Sequence, residues 1–483
     1  MNLNIKSLLL ENIGIKQTIL KNAFWLVASE AVAGLLRLVL LIYMARILGA
    51  TEYGKFTFAF SFVSVLVIFS DLGIINIITR EFSRNKEKEK EFPALIALQI
   101  VLSVGALILM VLGSFFITSD FAIRKIIWIL SLFILITSFF GIFYAFLRSR
   151  QRMEYEAGIK IIQTLIIVLI PLCVLFYFPS PINLSYGYFF SNLVALIILL
   201  IFFHFRFHSL RIGWDRNVFK LLKMSWPLSL GLMASWIYMS ISSVILGYFN
   251  LIIENGWYNA ASKVALIALM PATLIVISFY PALSNFFITS KEKLQKSWNF
   301  LMGAMIFSAM PIVAGGIVLA PKIINLFYGS NFAPSIFAFQ LLIFVIGISF
   351  INYPFSVILV VSDQQKKNFA LMVMGIVTNI ILNLLLIPAY KLFGAVIATM
   401  ISSLTTLFLT IIVSKYFTSI SLFNIKLLKS VSAASFSCLM MFFIIRLPAV
   451  YNLNIFYSVT IGGLAYFFIL YLLYKYNGIR EKN

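Results

Sequence analysis

Apolar stretches of about 20 residues follow one another along the whole chain, and few folds absorb that pattern. Each is long enough, as an α-helix, to cross a hydrocarbon layer of roughly 30 Å. The fourteen approximate spans are 22–45, 56–79, 93–117, 126–147, 161–178, 185–204, 225–249, 257–280, 299–320, 336–361, 369–388, 393–414, 430–445 and 454–474. Helices are expected rather than strands: the runs lack the period-2 alternation of outer-membrane barrels, and a lipid-exposed backbone must satisfy its hydrogen bonds within its own segment. With 62% hydrophobic and 11% charged residues, against roughly a quarter charged in soluble domains, the chain reads as an all-α polytopic membrane protein of about 14 transmembrane helices.

Orientation follows from alternate connections, because short cytoplasmic loops collect Lys and Arg. Of the 37 basic residues, 28 fall on one side, in the N-terminal segment, the loops 80–91, 148–160 and 206–223, later loops of the same parity and the C-terminus. Seven fall on the other (Arg46, Lys55, Arg124, Lys125, Lys322, Lys391 and Arg446), and Arg37 and Lys263 lie inside spans. A multi-pass protein of the plasma (inner) membrane with both termini cytoplasmic is expected. The net charge of +21 is explained by this asymmetry and by anionic headgroups, so no nucleic-acid partner is invoked. Residues 1–20 lack the pattern of a cleavable signal peptide and suit an interfacial helix.

The two halves resemble each other. Lys86-Glu87-Lys88 matches Lys291-Glu292-Lys293 at a shift of 205, and Glu52-Tyr53-Gly54 parallels Glu254-Asn255-Gly256. Six spans fill such a repeat, and an even number gives two copies of like orientation. The expected division is a cytoplasmic segment 1–21, a six-helix bundle 22–204, a linker 205–224, a pseudo-symmetric six-helix bundle 225–414, and two additional helices with a tail over 415–483.

Four charges stand where hydrocarbon is expected: Glu30, Arg37, Asp71 and Lys263. An ionisable group deep in a bilayer costs at least about 2.5–3.5 kcal/mol on insertion scales, so it normally faces a partner or a polar cavity. Arg37 and Lys263 count to the outer half of the membrane, Glu30 and Asp71 nearer the cytoplasm. Buried cations suit a phosphate-bearing guest, with Arg as a fork of donors and Lys as a point charge. Asn259 is a candidate partner for sugar hydroxyls, and Glu30 and Asp71 are candidates for ion coupling. The competing reading is interhelical glue, with Arg37 paired to Glu30 or Asp71 and Lys263 to a carbonyl or carboxylate. Asp71 beside Leu72-Gly73 also reads as a structural turn, and Arg46 as a snorkelling helix end. Cys173 and Cys438 lie inside spans and give no disulfide framework. His204 and His208 lack a third ligand, and no cofactor or metal is expected.

Ala45-Arg46-Ile47-Leu48-Gly49, Glu52-Tyr53-Gly54, Asp71-Leu72-Gly73 and Arg80 resemble the start of polysaccharide-biosynthesis flippases, the O-antigen repeat-unit branch of the multidrug/oligosaccharidyl-lipid/polysaccharide exporter superfamily. Phe279-Tyr280-Pro281-Ala282-Leu283-Ser284, Phe327-Tyr328-Gly329 and Phe393-Gly394-Ala395-Val396-Ile397-Ala398-Thr399 continue the resemblance over essentially the full chain. It implies a non-enzymatic flippase that moves polyprenyl-(pyro)phosphate-linked oligosaccharide to the outer leaflet by alternating access, for surface glycan synthesis. The substrate-site candidates are Arg37, Lys263, Asp71 and Asn259 from the residues themselves, and the resemblance adds Arg46, which falls in a matching motif. The implied partners are the lipid-linked oligosaccharide, membrane lipids, and a glycan polymerase or glycosyltransferases. Coupling to a proton or sodium gradient, or to the membrane potential, is the implied drive. The alternatives are a cation-coupled multidrug exporter of the same superfamily, which calls for acidic lining, and a peptidoglycan-precursor flippase.

Overall fold

The computed structural model describes residues 11–207, 213, 217–418, 420–422 and 424–480. Much of the expected linker and N-terminal segment, and His208, lie outside them. Among the described residues the regular structure is helical, without strands, and eleven helical stretches are long and apolar enough to cross a membrane. Two of these, Gln17–Arg84 and Gln365–Phe417, each contain two of the expected spans, and Met233–Tyr248 is a shorter apolar helix. The protein is a multi-pass membrane protein.

Two compact units are present, Met1–Gly256 and Trp257–Asn483. In the first, α1 (Ile15–Leu66) is two helices joined at Gly49, where φ is 71°, a value glycine adopts without a Cβ clash. The expected span 56–79 continues through the short α2 (Ile68–Asp71) into α3 (Ile74–Arg84), broken at Leu72 and Gly73, both left-handed. Next come α4 (Phe92–Ile117), α5 (Phe121–Ser149), α6 (Met153–Tyr177), α7 (Pro181–Phe207) and α8 (Asn217–Tyr248). Local signals place the ends. Pro93 opens α4, where its missing N–H is no loss, and the Asp120 side chain accepts from Ala122 N at 2.8 Å to cap α5.

The core of this unit joins α3, α4, α5 and α7 through buried Phe82, Phe92, Phe143, Phe146 and Phe203. Ring centroids of Phe92 and Phe146 are 4.7 Å apart and those of Phe143 and Phe203 4.6 Å, within the range where offset or tilted aromatic pairs attract. Helix association in lipid relies on such packing and on small residues, because acyl chains are as apolar as the helix surface. Outward-facing Phe116 is 86% exposed, a placement that suits acyl chains and would be costly in water.

The second unit continues from α9 (Ile252–Ile267) into α10 (Met270–Thr289), separated by a turn at Ala268-Leu269 with Pro271 in the first turn of α10. It holds α11 (Lys291–Tyr328), α12 (Ser335–Val361), α13 (Gln365–Phe417, kinked at Lys391), α14 (Ile425–Arg446), the short α15 (Pro448–Tyr451) and α16 (Ile455–Arg480). Its core joins α11, α14 and α16 through Val318, Leu319, Met441, Ile445 and Tyr466.

Positive φ marks bends between helices: Gly49 and Asn250 adopt it, as do Gln151 between α5 and α6 and Asp363 between α12 and α13. Within the first unit, a Cβ on Gly54 would collide with the Ile252 carbonyl oxygen, and a Cβ on Gly256 with that of Ala50. One crossing is thus closed by two reciprocal contacts, a glycine of each segment against a carbonyl of the other. Asn255, fully buried, fastens it: its Nδ2 donates to Gly54 O at 2.9 Å and its Oδ1 accepts from Ser243 Oγ at 2.6 Å.

Candidate functional site

Glu30 and Arg37 stand two helical turns apart on α1, a spacing that puts both on one face. Arg37 Nη2 lies 3.5 Å from Glu30 Oε2, and the two side chains are 55% and 56% exposed. Arg37 Nε also donates to Ala33 O at 3.1 Å, which holds the guanidinium against its own helix. A second cation shares the same carboxylate: Lys160 of α6 donates from Nζ to Glu30 Oε1. One negative group therefore lies between two positive groups, and the set carries a net positive charge.

Lys160 is the residue that sequence reasoning missed. It closes the basic run 148–160 and so counts as a loop cation. The structure places it in the second turn of α6, with its side chain only 17% exposed.

A chain of buried amides and hydroxyls starts one turn further along α6. Gln163 Oε1 accepts from Tyr144 Oη at 2.9 Å, and Gln163 Nε2 donates to Asn192 Oδ1 at 3.0 Å. Asn192 Nδ2 donates in turn to Thr137 Oγ1 at 2.7 Å and to Phe133 O at 3.0 Å. The chain ties α5, α6 and α7 together and satisfies polar groups that would be expensive to leave unpaired at this depth. Two ion pairs lie at the ends of these helices: Arg148 grips the fully buried Glu156 carboxylate with Nε–O distances of 2.9 and 3.0 Å, and Lys21 meets Glu154 at 2.9 Å with side-chain exposures of 0% and 5%.

Asp71 ends α2, and its Oδ1 accepts from Ile75 N at 3.2 Å, bridging the left-handed break at Leu72-Gly73. Arg46 is exposed on α1 just before the Gly49 bend. In the second unit Asn259 is buried on α9, and Lys263 lies half-buried one turn beyond it. Among the described residues no carboxylate lies within ion-pairing distance of Lys263 and no hydrogen bond holds it. The expected site residues thus stand apart in four places: Glu30 and Arg37 with Lys160, Arg46 before the Gly49 bend, the Asp71 cap, and Asn259 one turn from Lys263.

The family model described as "Polysaccharide biosynthesis protein" matches residues 19–287. A curated relative, the probable flippase AglR of Haloferax volcanii, is 25% identical over 263 residues, 53% of this chain and 54% of the relative. The chain thus spans about half the length of the curated relative it matches. Among solved structures, the fold is similar to the lipid II flippase MurJ in an inward closed conformation, with a TM-score of 0.76 at 16% identity over 93% of this chain and 98% of that one. It is also similar to an inward-facing multidrug resistance MATE transporter of the MOP superfamily, with a TM-score of 0.64 at 13% identity over 80% of this chain and 95% of that one. A MOP superfamily transporter from Pyrococcus furiosus aligns with a TM-score of 0.56 at 15% identity over 85% of this chain and 98% of that one.

Proposed function

This chain belongs to the polysaccharide biosynthesis protein family, and from that membership we propose that it is a flippase carrying polyprenyl-(pyro)phosphate-linked oligosaccharide from the cytoplasmic to the outer leaflet. The observation that carries the reading is the excess of cations within the spans. Glu30 is shared by Arg37 and Lys160, and Lys263 has no counterion among the described residues. An uncompensated cation in a membrane segment is costly unless an anion or water meets it. A pyrophosphate group meets that need, taking bidentate bonds from Arg and a point charge from Lys.

In this reading fourteen spans form two like-oriented six-helix bundles followed by two further helices. The bundles rock about a cavity that opens to either side in turn. The glycan and headgroup pass through the cavity while the polyprenyl chain stays in lipid. Both termini are cytoplasmic, so an inside-negative potential favours outward movement of a net anion by about 2.3 kcal/mol per charge per 100 mV. A proton or sodium ion on Glu30 is a further candidate drive. Arg46, Asp71 and Asn259 are assigned to the substrate path, and a glycan polymerase or glycosyltransferases act before and after it. An organic-cation exporter fits less well, because Glu30 is already claimed by two cations.

The test is translocation of fluorescent lipid-linked oligosaccharide in proteoliposomes by wild type, Arg37→Ala and Lys263→Ala. Each variant is expected to lose translocation while inserting and purifying as wild type does. Wild-type rates in both variants would overturn the cationic-path assignment.

A further inference from the structure

A second cationic site lies outside the proposed path. The 3₁₀ segment Lys86–Glu91 and the helix ends around Arg150, Arg152 and Arg206 enclose a cavity of about 460 Å³ in the first unit, lined also by Glu89 and Tyr155. Four cations face one carboxylate there. All come from the connections that positive-inside counting assigns to the cytoplasm.

The cavity is built rather than incidental. Glu89 holds Arg150 through Nε–Oε1 and Nη2–Oε2 contacts of 3.1 and 2.5 Å. The same guanidinium stacks on Phe146 and Phe207, 4.4 and 5.1 Å from the ring centroids. Arg206 Nη2 donates to Tyr155 Oη at 3.4 Å, and Arg152 is steered by Glu154, also at 3.4 Å. Aromatic faces and single carboxylates thus fix three guanidiniums without cancelling their summed charge. Lys86 and Arg206 have no carboxylate partner among the described residues.

We propose that this cavity binds a phosphate group at the cytoplasmic membrane surface. Fixed guanidinium forks match phosphate oxygens bidentately, and a nearby lysine adds an unoriented charge. Basic recesses between helices on the cytoplasmic side are suited to anionic headgroups. Phe205, Ile201 and Ile198 are exposed along α7 below Arg206, so a diacyl lipid whose phosphate sits in the cavity finds an apolar surface for its chains. Inorganic phosphate offers the same oxygens without that surface.

The experiment uses the purified full chain in nanodiscs of phosphatidylcholine alone or with phosphatidylglycerol, followed by native mass spectrometry of retained lipid. A parallel arm titrates inorganic phosphate against thermal unfolding in detergent. Wild type, Lys86→Ala/Arg206→Ala and Lys86→Arg are compared, the last keeping the charge and controlling for folding. The headgroup source predicts retained phosphatidylglycerol in wild type and Lys86→Arg, and affinity about thirty-fold lower in the double variant, at roughly five-fold per cation. Stabilisation by inorganic phosphate, with the same loss in the double variant, identifies free phosphate as the ligand. Equal phosphatidylglycerol retention and an equal phosphate response in wild type and double variant overturn the site, as does wild-type retention of phosphatidylcholine to the same degree. Glycan translocation is not the readout, so failure here leaves the proposed flippase activity to its own test.

Discussion

Substituting Gln for Glu30, and in parallel for Glu154, separates a charge placed for function from one placed for structure. Lys21 and Glu154 meet at 2.9 Å with side-chain exposures of 0% and 5%. Glu154→Gln takes away the negative partner of Lys21 and leaves it only neutral acceptors, Asn12 Oδ1 at 2.6 Å among them. Breaking so deeply buried a pair costs about 3–5 kcal/mol, because the surviving charge stays desolvated. In a water-filled path, Glu30, itself 56% exposed and paired with Arg37 and with Lys160, has each of its two attractions in the screened range of about 0–1 kcal/mol. Reversible unfolding of both variants in mixed micelles, followed by circular dichroism, gives the two free energies directly. Glu30→Gln is expected to shift stability by less than about 2 kcal/mol, and Glu154→Gln by at least about 3 kcal/mol. Equal losses in the two variants would make Glu30 fixed interhelical glue and refute its assignment to a polar path. A Glu154→Gln change within about 1 kcal/mol would refute the burial argument itself.

Three further outcomes are expected. Gly256→Val drives a side chain into the Ala50 carbonyl, so it should lower the unfolding temperature in a fluorescence-detected size-exclusion assay, whereas Gly34→Ala, which meets open space, should be neutral. Asp71→Ala should cost about 1 kcal/mol, the usual value of a lost cap, and Asp71→Asn should restore most of it, since an amide oxygen still accepts from Ile75 N; equal losses in the two would assign the role to charge. In a background lacking Cys173 and Cys438, Ser180→Cys should react with an impermeant maleimide in intact cells and Gln151→Cys only after permeabilisation, and the reverse pattern would invert the expected orientation.

Much of the helical framework is legible in the chain because it rests on local physics. Apolar runs of membrane length become helices wherever the backbone must bond to itself. The Arg37–Glu30 pair is equally local, as their helical spacing already puts them on one face. Lys160 is different, because its meeting with Glu30 joins residues 130 positions apart, and composition counts it only as one more basic residue in an inner loop. The seam from Tyr144 through Gln163 to Asn192 is hidden for the same reason: single amides in apolar runs carry no periodic signal. Asp71 stands between the two cases. Its neighbours Leu72-Gly73 hint at a turn, but that its carboxylate bridges the break is visible only once the left-handed backbone is seen.

By itself the sequence determined that the chain enters a membrane as helices, and it set the expectations of loop orientation and of matching halves, since these follow from transfer free energies and counting along a single strand. Tertiary structure alone decided which charges are neutralised, where the spans bend, and how Gly54 and Gly256 allow two backbones to touch. Those outcomes depend on distances between segments remote in sequence, and electrostatic and packing energies act across such distances without regard to chain order.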